Sequence, residues 1–223
     1  MPRPVGRRAE ILETFARHVA ERGYDQTNLG DIADELGMSK GTIVHHFGTK
    51  AQMLREVEEN YMRRQLHAVH GMWERLEKPQ ERVAAIIYAS VLLHVVDRHA
   101  TVATQREVVQ LSDDPAMQEV RKLRGEMQRL TEAELQQGVD AGLFRKIDVR
   151  VTTLQLFGSV QWMWVWFDPK GPQTPEEVGA SMVDVFLGGL LLDRYGLQQV
   201  ADPKGAVVTV VRECLTAVGE SPE

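Results

Sequence analysis

Residues 28–50 read NLGDIADELGMSKGTIVHHFGTK, and the fold of the chain follows from this stretch. Asn28 is a good helix N-cap, and Asp31, three residues on, is placed to close a capping box. Ile32, Ala33 and Leu36 recur at helical spacing and give one apolar face. Gly37 ends the helix, because glycine tolerates the positive φ that so sharp a turn requires. Ser39 caps a second helix whose inner residues are Ile43 and Phe47, and Thr49 caps a third. Two helices joined by a short Gly-containing turn form a helix-turn-helix, whose second helix lies in a DNA major groove. Its outer side would present Lys40, Gly41, Thr42, Val44, His45 and His46. Lys40 and Lys50 suit phosphate contacts, and Gly41 lets the backbone approach closely. Thr42 and Val44 can meet a thymine methyl, and the two histidines can donate to phosphate or guanine.

Read outward, the segment GYDQTNLGDIADELGMSKGTIVHHFGTKAQML, with Phe15 before it, resembles the N-terminal DNA-binding segment of the TetR family of bacterial transcriptional regulators. The matching pieces are Gly23-Tyr24, Asp31-Ile32-Ala33, Gly37, Ser39-Lys40-Gly41-Thr42, His46-Phe47 and Lys50, in order and in register. The resemblance covers roughly residues 8 to 55. It implies a DNA-contact set of Arg7, Thr27, Ser39, Lys40, Gly41, Thr42, Val44, His45, His46 and Lys50. Val44 departs from the family, which usually has a Tyr there that reaches a phosphate; a valine has no hydrogen to donate.

The remainder predicts helices only. Helix 1 runs from about Arg8 to Arg22, behind an arm of residues 1–7 with two prolines and two arginines. A long helix from Thr49 to about Leu76 would bury Met53, Leu54, Val57, Tyr61 and Met62 and act as a lever between head and body. Further helices are expected over Pro79–Arg98, Thr101–Leu111, from Asp113-Asp114-Pro115 to Asp140, Val149–Phe167 and Thr174–Leu192. Ala206–Val211 reads as helix or strand, and Ala206–Val218 as an extra helix on a dimer edge. The fold class is therefore all-α: a three-helix helix-turn-helix domain over residues 1–50, then a helical domain over 51–223, to which the family resemblance assigns effector binding and dimerisation.

Composition sets limits. The 223 residues carry 26 Lys+Arg against 32 Asp+Glu, a net charge of −6. Residues 1–50 hold seven of each sign, so the acidity belongs to the body and leaves Arg3, Arg7, Arg8, Lys40 and Lys50 as a local basic set. The single cysteine, Cys214, excludes an internal disulfide and fits a reducing cytoplasm. No apolar run is long enough to span a membrane, so no membrane partner is expected. The lone His45-His46 pair lacks the further ligands a metal needs, and no catalytic triad or phosphate loop is present. No metal, cofactor or enzymatic activity is expected.

Helices 149–167 and 174–192 are apolar nearly all round and need cover on two sides. A two-fold four-helix interface between copies would supply it, with Leu156, Val160, Met163, Val178, Met182, Phe186 and Gly189 at the contact. Dimerisation also matches two half-sites one helical turn apart. The expected partners are a palindromic duplex operator and a second copy of the chain, and the resemblance to the TetR family, whose bodies bind a small molecule between helices, implies a small hydrophobic effector as well. The expected effector lining is Tyr88, His94, Met117, Arg124, Met127, Phe144, Phe157, Trp162 and Trp166. The segment GLFRKIDVRVTTLQLFGSVQWMWVWFDPKGPQTPEE is similar to TetR regulators of fatty-acid, lipid and sterol catabolism, several of which respond to acyl-coenzyme A thioesters. That similarity implies a ligand-released repressor, with Arg121 or Arg124 near the coenzyme's phosphates. Val165 stands where this subgroup often has Arg, which points to a less charged ligand. The alternatives are an effector-free DNA-binding or interaction module, a repressor of a drug or aromatic-compound response, and an enzyme carrying a DNA-binding head.

Overall fold

A computed structural model describes residues 6–107 and 114–220. Its helices are α1 (Arg7–Arg22), α2 (Leu29–Glu35), α3 (Lys40–Phe47), α4 (Lys50–Trp73), α5 (Pro79–Val96), α6 (Arg98–Arg106), α7 (Gln118–Asp140), α8 (Val149–Gln161), α9 (Met163–Trp166), α10 (Pro175–Gly188), α11 (Leu197–Val200) and α12 (Ala206–Glu220), with one 3-10 turn at Pro115–Met117. The fold is all-α. Several helix starts follow from side chains that satisfy otherwise orphaned backbone N–H groups. Ser39 accepts from Thr42, Asp148 from Val151, and Thr174 and Glu177 form a reciprocal capping box. Thr49 and Gln52 exchange the same pair of bonds ahead of α4. At α2, Asn28 accepts from the Gly30 N–H, while Asp31 turns to Arg22 at 3.3 Å instead of closing the expected box. An exposed guanidinium is the stronger attraction for that carboxylate.

The described residues fall into two compact units, one within Met1–Met62 and Asp97–Lys122, the other within Arg63–Val96 and Leu123–Glu223. The compact division therefore differs from a cut after residue 50, since it runs through α4 and α7. In the first unit α1 packs on α2 and α6, and α2 on α3. Its core is built from Ile11, Phe15, Val19, Ile32, Ile43, Phe47, Met53, Leu54 and Val57, all buried. Gly37 closes α2 with φ +61°, where a side chain would be strained.

The second unit is organised around α5. This helix is apolar on every side, and Val83 through Leu93 are buried apart from Ser90. It is covered by α8, α10, α11 and α12. The C-terminal helix α12 gives Val207, Val208, Val211, Cys214 and Leu215 to the buried side, so it belongs to this core. Residues 143–145 pair antiparallel with residues 190–192, just after α10: Arg145 N–H donates to the Leu190 carbonyl, Leu192 N–H to the Leu143 carbonyl, and the Arg145 guanidinium to the Gly189 carbonyl at 2.7 Å. The expected helix 149–167 is broken at Trp162 into α8 and α9.

Candidate functional site

The helix-turn-helix places α3 with Ile43 and Phe47 in the core. Lys40, Gly41, Val44, His45 and His46 are then left exposed on the opposite side, with Thr42 partly so. The arrangement follows from the period of 3.6 residues, because positions 43 and 47 share one face. The Ser39 and Thr42 hydroxyls lie 3.0 Å apart and bond each other. The exposed surface of α3 therefore offers one ammonium, two imidazoles, a bare glycine backbone and two methyl-bearing side chains.

Other expected DNA contacts are already occupied within the protein. Thr27 is 3% exposed and donates its hydroxyl to the Gly23 carbonyl at 2.9 Å. It is a loop staple. Lys50 directs its ammonium inward, to the carbonyls of Tyr24 (2.8 Å), Thr27 (3.2 Å) and Asp25 (3.4 Å), and lies 4.3 Å from the centre of the Tyr24 ring. Arg7 pairs with Glu10 and donates to the carbonyl of Leu36, the residue just past α2. Arg8 sits over the Phe47 ring at 4.4 Å and pairs with Glu56. The arm's remaining arginine, Arg3, lies outside the described residues. The sequence identifies cations, and it has no signal for the loop carbonyls after α1 toward which the Lys50 ammonium turns.

A second polar group ties α1 to α2. The His18 ring, almost wholly buried, bonds Glu35 at 2.9 Å, and Arg17 also pairs with that carboxylate. The His18 bond first, and Arg17 second, hold the Glu35 carboxyl below its ordinary range. Across the loop, Glu107, just past α6, accepts the Tyr24 N–H at 3.0 Å.

The nine expected effector-lining residues are dispersed. Tyr88 and His94 are fully buried on α5; His94 Nδ1 bonds the Ser90 carbonyl at 2.8 Å, and its ring stands edge-on to Phe167. The Tyr88 hydroxyl is buried without a hydrogen-bond partner, and burial pushes its acidity well down. Phe144 is buried against Gly138, where a Cβ would collide with its ring, so it anchors the turn after α7. Met127 is buried and Arg124 half-buried on α7, and Phe157 is half-buried on α8, while Met117 falls in the first unit. Trp162 and Trp166, 61% and 51% exposed, lie on the surface of the chain instead of lining its interior.

The expected dimer set also divides. Leu156, Val160, Met163 and Val178 are buried inside the protomer, the last three in a cluster with Val91 and Phe167, against which Met182 packs. They are core. Phe186 is half-buried and Gly189 exposed. The apolar side chains left uncovered are Val151, Leu154, Trp162, Val165 and Trp166 on α8–α9, and Val185 and Leu192 on and after α10. Two apolar faces were legible on these helices; which one turns toward α5 was not. Among the described residues no three His, Cys, Asp or Glu side chains gather as ligands for a metal ion, and no single helix is long and apolar enough to cross a membrane.

Comparison with known families agrees with this geometry. The profile of bacterial regulatory proteins of the tetR family matches residues 11–57, and that of the tetracyclin repressor-like C-terminal domain matches residues 76–190. The chain belongs to the TetR family. It is a TetR-type transcriptional repressor with a DNA-binding helix-turn-helix, in a family of regulators and not of enzymes. Among TetR relatives, the HTH-type transcriptional repressor KstR2 of Mycolicibacterium smegmatis is 33% identical over 190 residues, which are 84% of this chain and 92% of that one. The structure of the ketosteroid transcriptional regulator KstR2 of Mycobacterium tuberculosis superposes with a TM-score of 0.79 at 26% identity, covering 86% of this chain and 98% of that one. AibR in complex with isovaleryl coenzyme A and operator DNA superposes with a TM-score of 0.73 at 26% identity, covering 80% and 97%.

Proposed function

We propose that this TetR repressor works as a homodimer on a palindromic operator and is released from it by an acyl-coenzyme A. The observation that carries the DNA half is the outer surface of α3, where Lys40, Gly41, Thr42, Val44, His45 and His46 are presented by a helix locked through Ile43 and Phe47. Base edges would be read by Thr42, Val44, His45 and His46, and Lys40 would hold a phosphate. Ser39 acts as the cap that fixes where the helix starts. The uncovered large apolar side chains on α8–α10 support the second copy, since exposed apolar surface beyond scattered single residues marks an interaction surface.

The effector class is supported by the relatives: a KstR2 named for ketosteroids, and an AibR bound to isovaleryl coenzyme A and operator DNA. In this chain Tyr88, His94, Met127 and Phe157 are the interior groups for an acyl moiety, and Arg124 the cation for the coenzyme. Release requires that the thioester bind the DNA-incompetent arrangement more tightly, by the same factor that DNA disfavours it. The test is fluorescence anisotropy of a duplex that the protein selects from a random pool, titrated with palmitoyl-, isovaleryl- and free coenzyme A. Release by a thioester and not by free coenzyme A supports the reading. A complex untouched by all three leaves the repressor and removes the effector class.

A further inference from the structure

The C-terminal helix α12 lies beyond residue 190, where the match to the C-terminal domain profile ends. It packs on α5 and buries Val207, Val208, Val211, Cys214 and Leu215. Successive helical residues point about 100° apart, so neighbours at the rim of that buried side can reach different helices. Arg212 pairs with Glu176 in the first turn of α10, while Glu213 pairs with Arg75, just past the end of α4. The α4 contact continues one turn back, at Gly71, where a Cβ would stand 3.5 Å from the Cys214 Sγ, an ordinary van der Waals distance. One turn of α12 thus grips α10 with one residue and the end of α4 with the next two. At its other end, α4 gives Met53, Leu54 and Val57 to the core of the DNA-reading unit.

We infer that α12 is a coupling strap: it ties the end of α4 to the start of α10, so that the hold on α10 sets the α4 position in which operator is bound. The inference rests on the homodimer reading above, in which α10 meets a second copy. A strap and a mere cover over α5 leave different signatures. A strap acts in series, so opening either end removes the whole connection and opening both removes no more. With a mere cover, operator affinity follows net charge, tightening with Glu213→Gln and weakening with Arg212→Gln.

The experiment measures affinity, by fluorescence anisotropy at one moderate salt concentration, for a duplex selected from a random pool by the unaltered protein. Glu213→Gln and Arg212→Gln are each expected to weaken binding, by up to about fivefold, the ceiling for an exposed ion pair. The double variant is expected to bind no more weakly than the weaker single one. Gly71→Cys then supplies a replaceable grip, because Cys214 is the chain's single cysteine and lies within disulfide reach of that position. In a protein carrying Gly71→Cys and Glu213→Gln, oxidation should restore the lost affinity and a reductant remove it again, with thiol titration counting the cross-link. Circular dichroism establishes that each variant is folded; if Glu213→Gln is not, Arg75→Gln opens the same grip. Affinities that follow net charge, unchanged binding in both single variants, additive losses in the double variant, or oxidation that forms no cross-link or restores nothing overturn the strap. An unaltered protein that is monomeric in sedimentation equilibrium overturns the homodimer reading instead; in a dimer, the other outcomes bear on the strap alone.

Discussion

Replacing Val185 by aspartate separates the surface of α10 from its core. Val185 is 74% exposed in the protomer, one of the large apolar side chains of the second unit that stay uncovered, with Trp162 and Leu192. Full burial of a valine side chain is worth about 1.5–2 kcal/mol, and a two-fold interface counts each residue twice, so the lost burial alone amounts to about 3 kcal/mol. Desolvating two unpaired carboxylates adds to this. Since every 1.4 kcal/mol is about tenfold, dimer dissociation is expected to strengthen by a factor of at least about 100. Protomer stability should move by no more than about 0.5 kcal/mol, as for other surface changes. Val160→Ala is the contrast: Val160 is buried in the cluster with Met163 and Val178, and its truncation should cost about 1–3 kcal/mol of unfolding free energy. Sedimentation equilibrium reads the first effect, and urea unfolding of the protomer the second. A Val185→Asp protein that dimerises like the unaltered chain would refute the assignment of this face.

Gly179 lies so close to α5 that a Cβ there would stand 2.5 Å from the Tyr88 ring, which is fully buried. Gly179→Ala should therefore lower stability by about 1–3 kcal/mol in urea unfolding, and a smaller loss would mean that α5 and α10 part easily. The Glu35 carboxyl is depressed below its ordinary value of 4.5, first by the His18 bond and then by Arg17. A depressed carboxylate stabilises the fold above its unfolded value and loses that contribution as the pH falls through the folded one. Glu35→Gln should accordingly flatten the stability curve of the protein below about pH 4.5, and an unchanged acid limb would sink the idea.

The helix-turn-helix was legible because its signals are local. Asn28, Gly37, Ser39 and the pair Ile43 and Phe47 act on neighbours within one turn, and each takes its expected place. What the sequence concealed lies in tertiary contacts. Lys50, Arg8 and Thr27 look like groups waiting for DNA until the loop carbonyls, the Phe47 ring and Glu56 are placed around them. In the body, periodicity showed that α8 and α10 have two apolar faces, but it carries no information on which one meets α5. The core and interface assignments of Leu156, Val160, Met163 and Val178 therefore came out reversed. The helix α12 was missed as a core element because Val207 to Leu215 alone do not reveal that α5 needs another cover.

The measurement that tests the central claim most directly is the sequence that the protein enriches from a random duplex pool at moderate salt. Two copies of α3 reading one duplex predict an inverted repeat, its half-sites separated by about 10 base pairs or a multiple of that spacing. Alanine at His45 or His46 should then relax the preference at discrete positions within each half-site. A pool that stays random, or a single asymmetric site unaffected by changes on α3, would contradict the account.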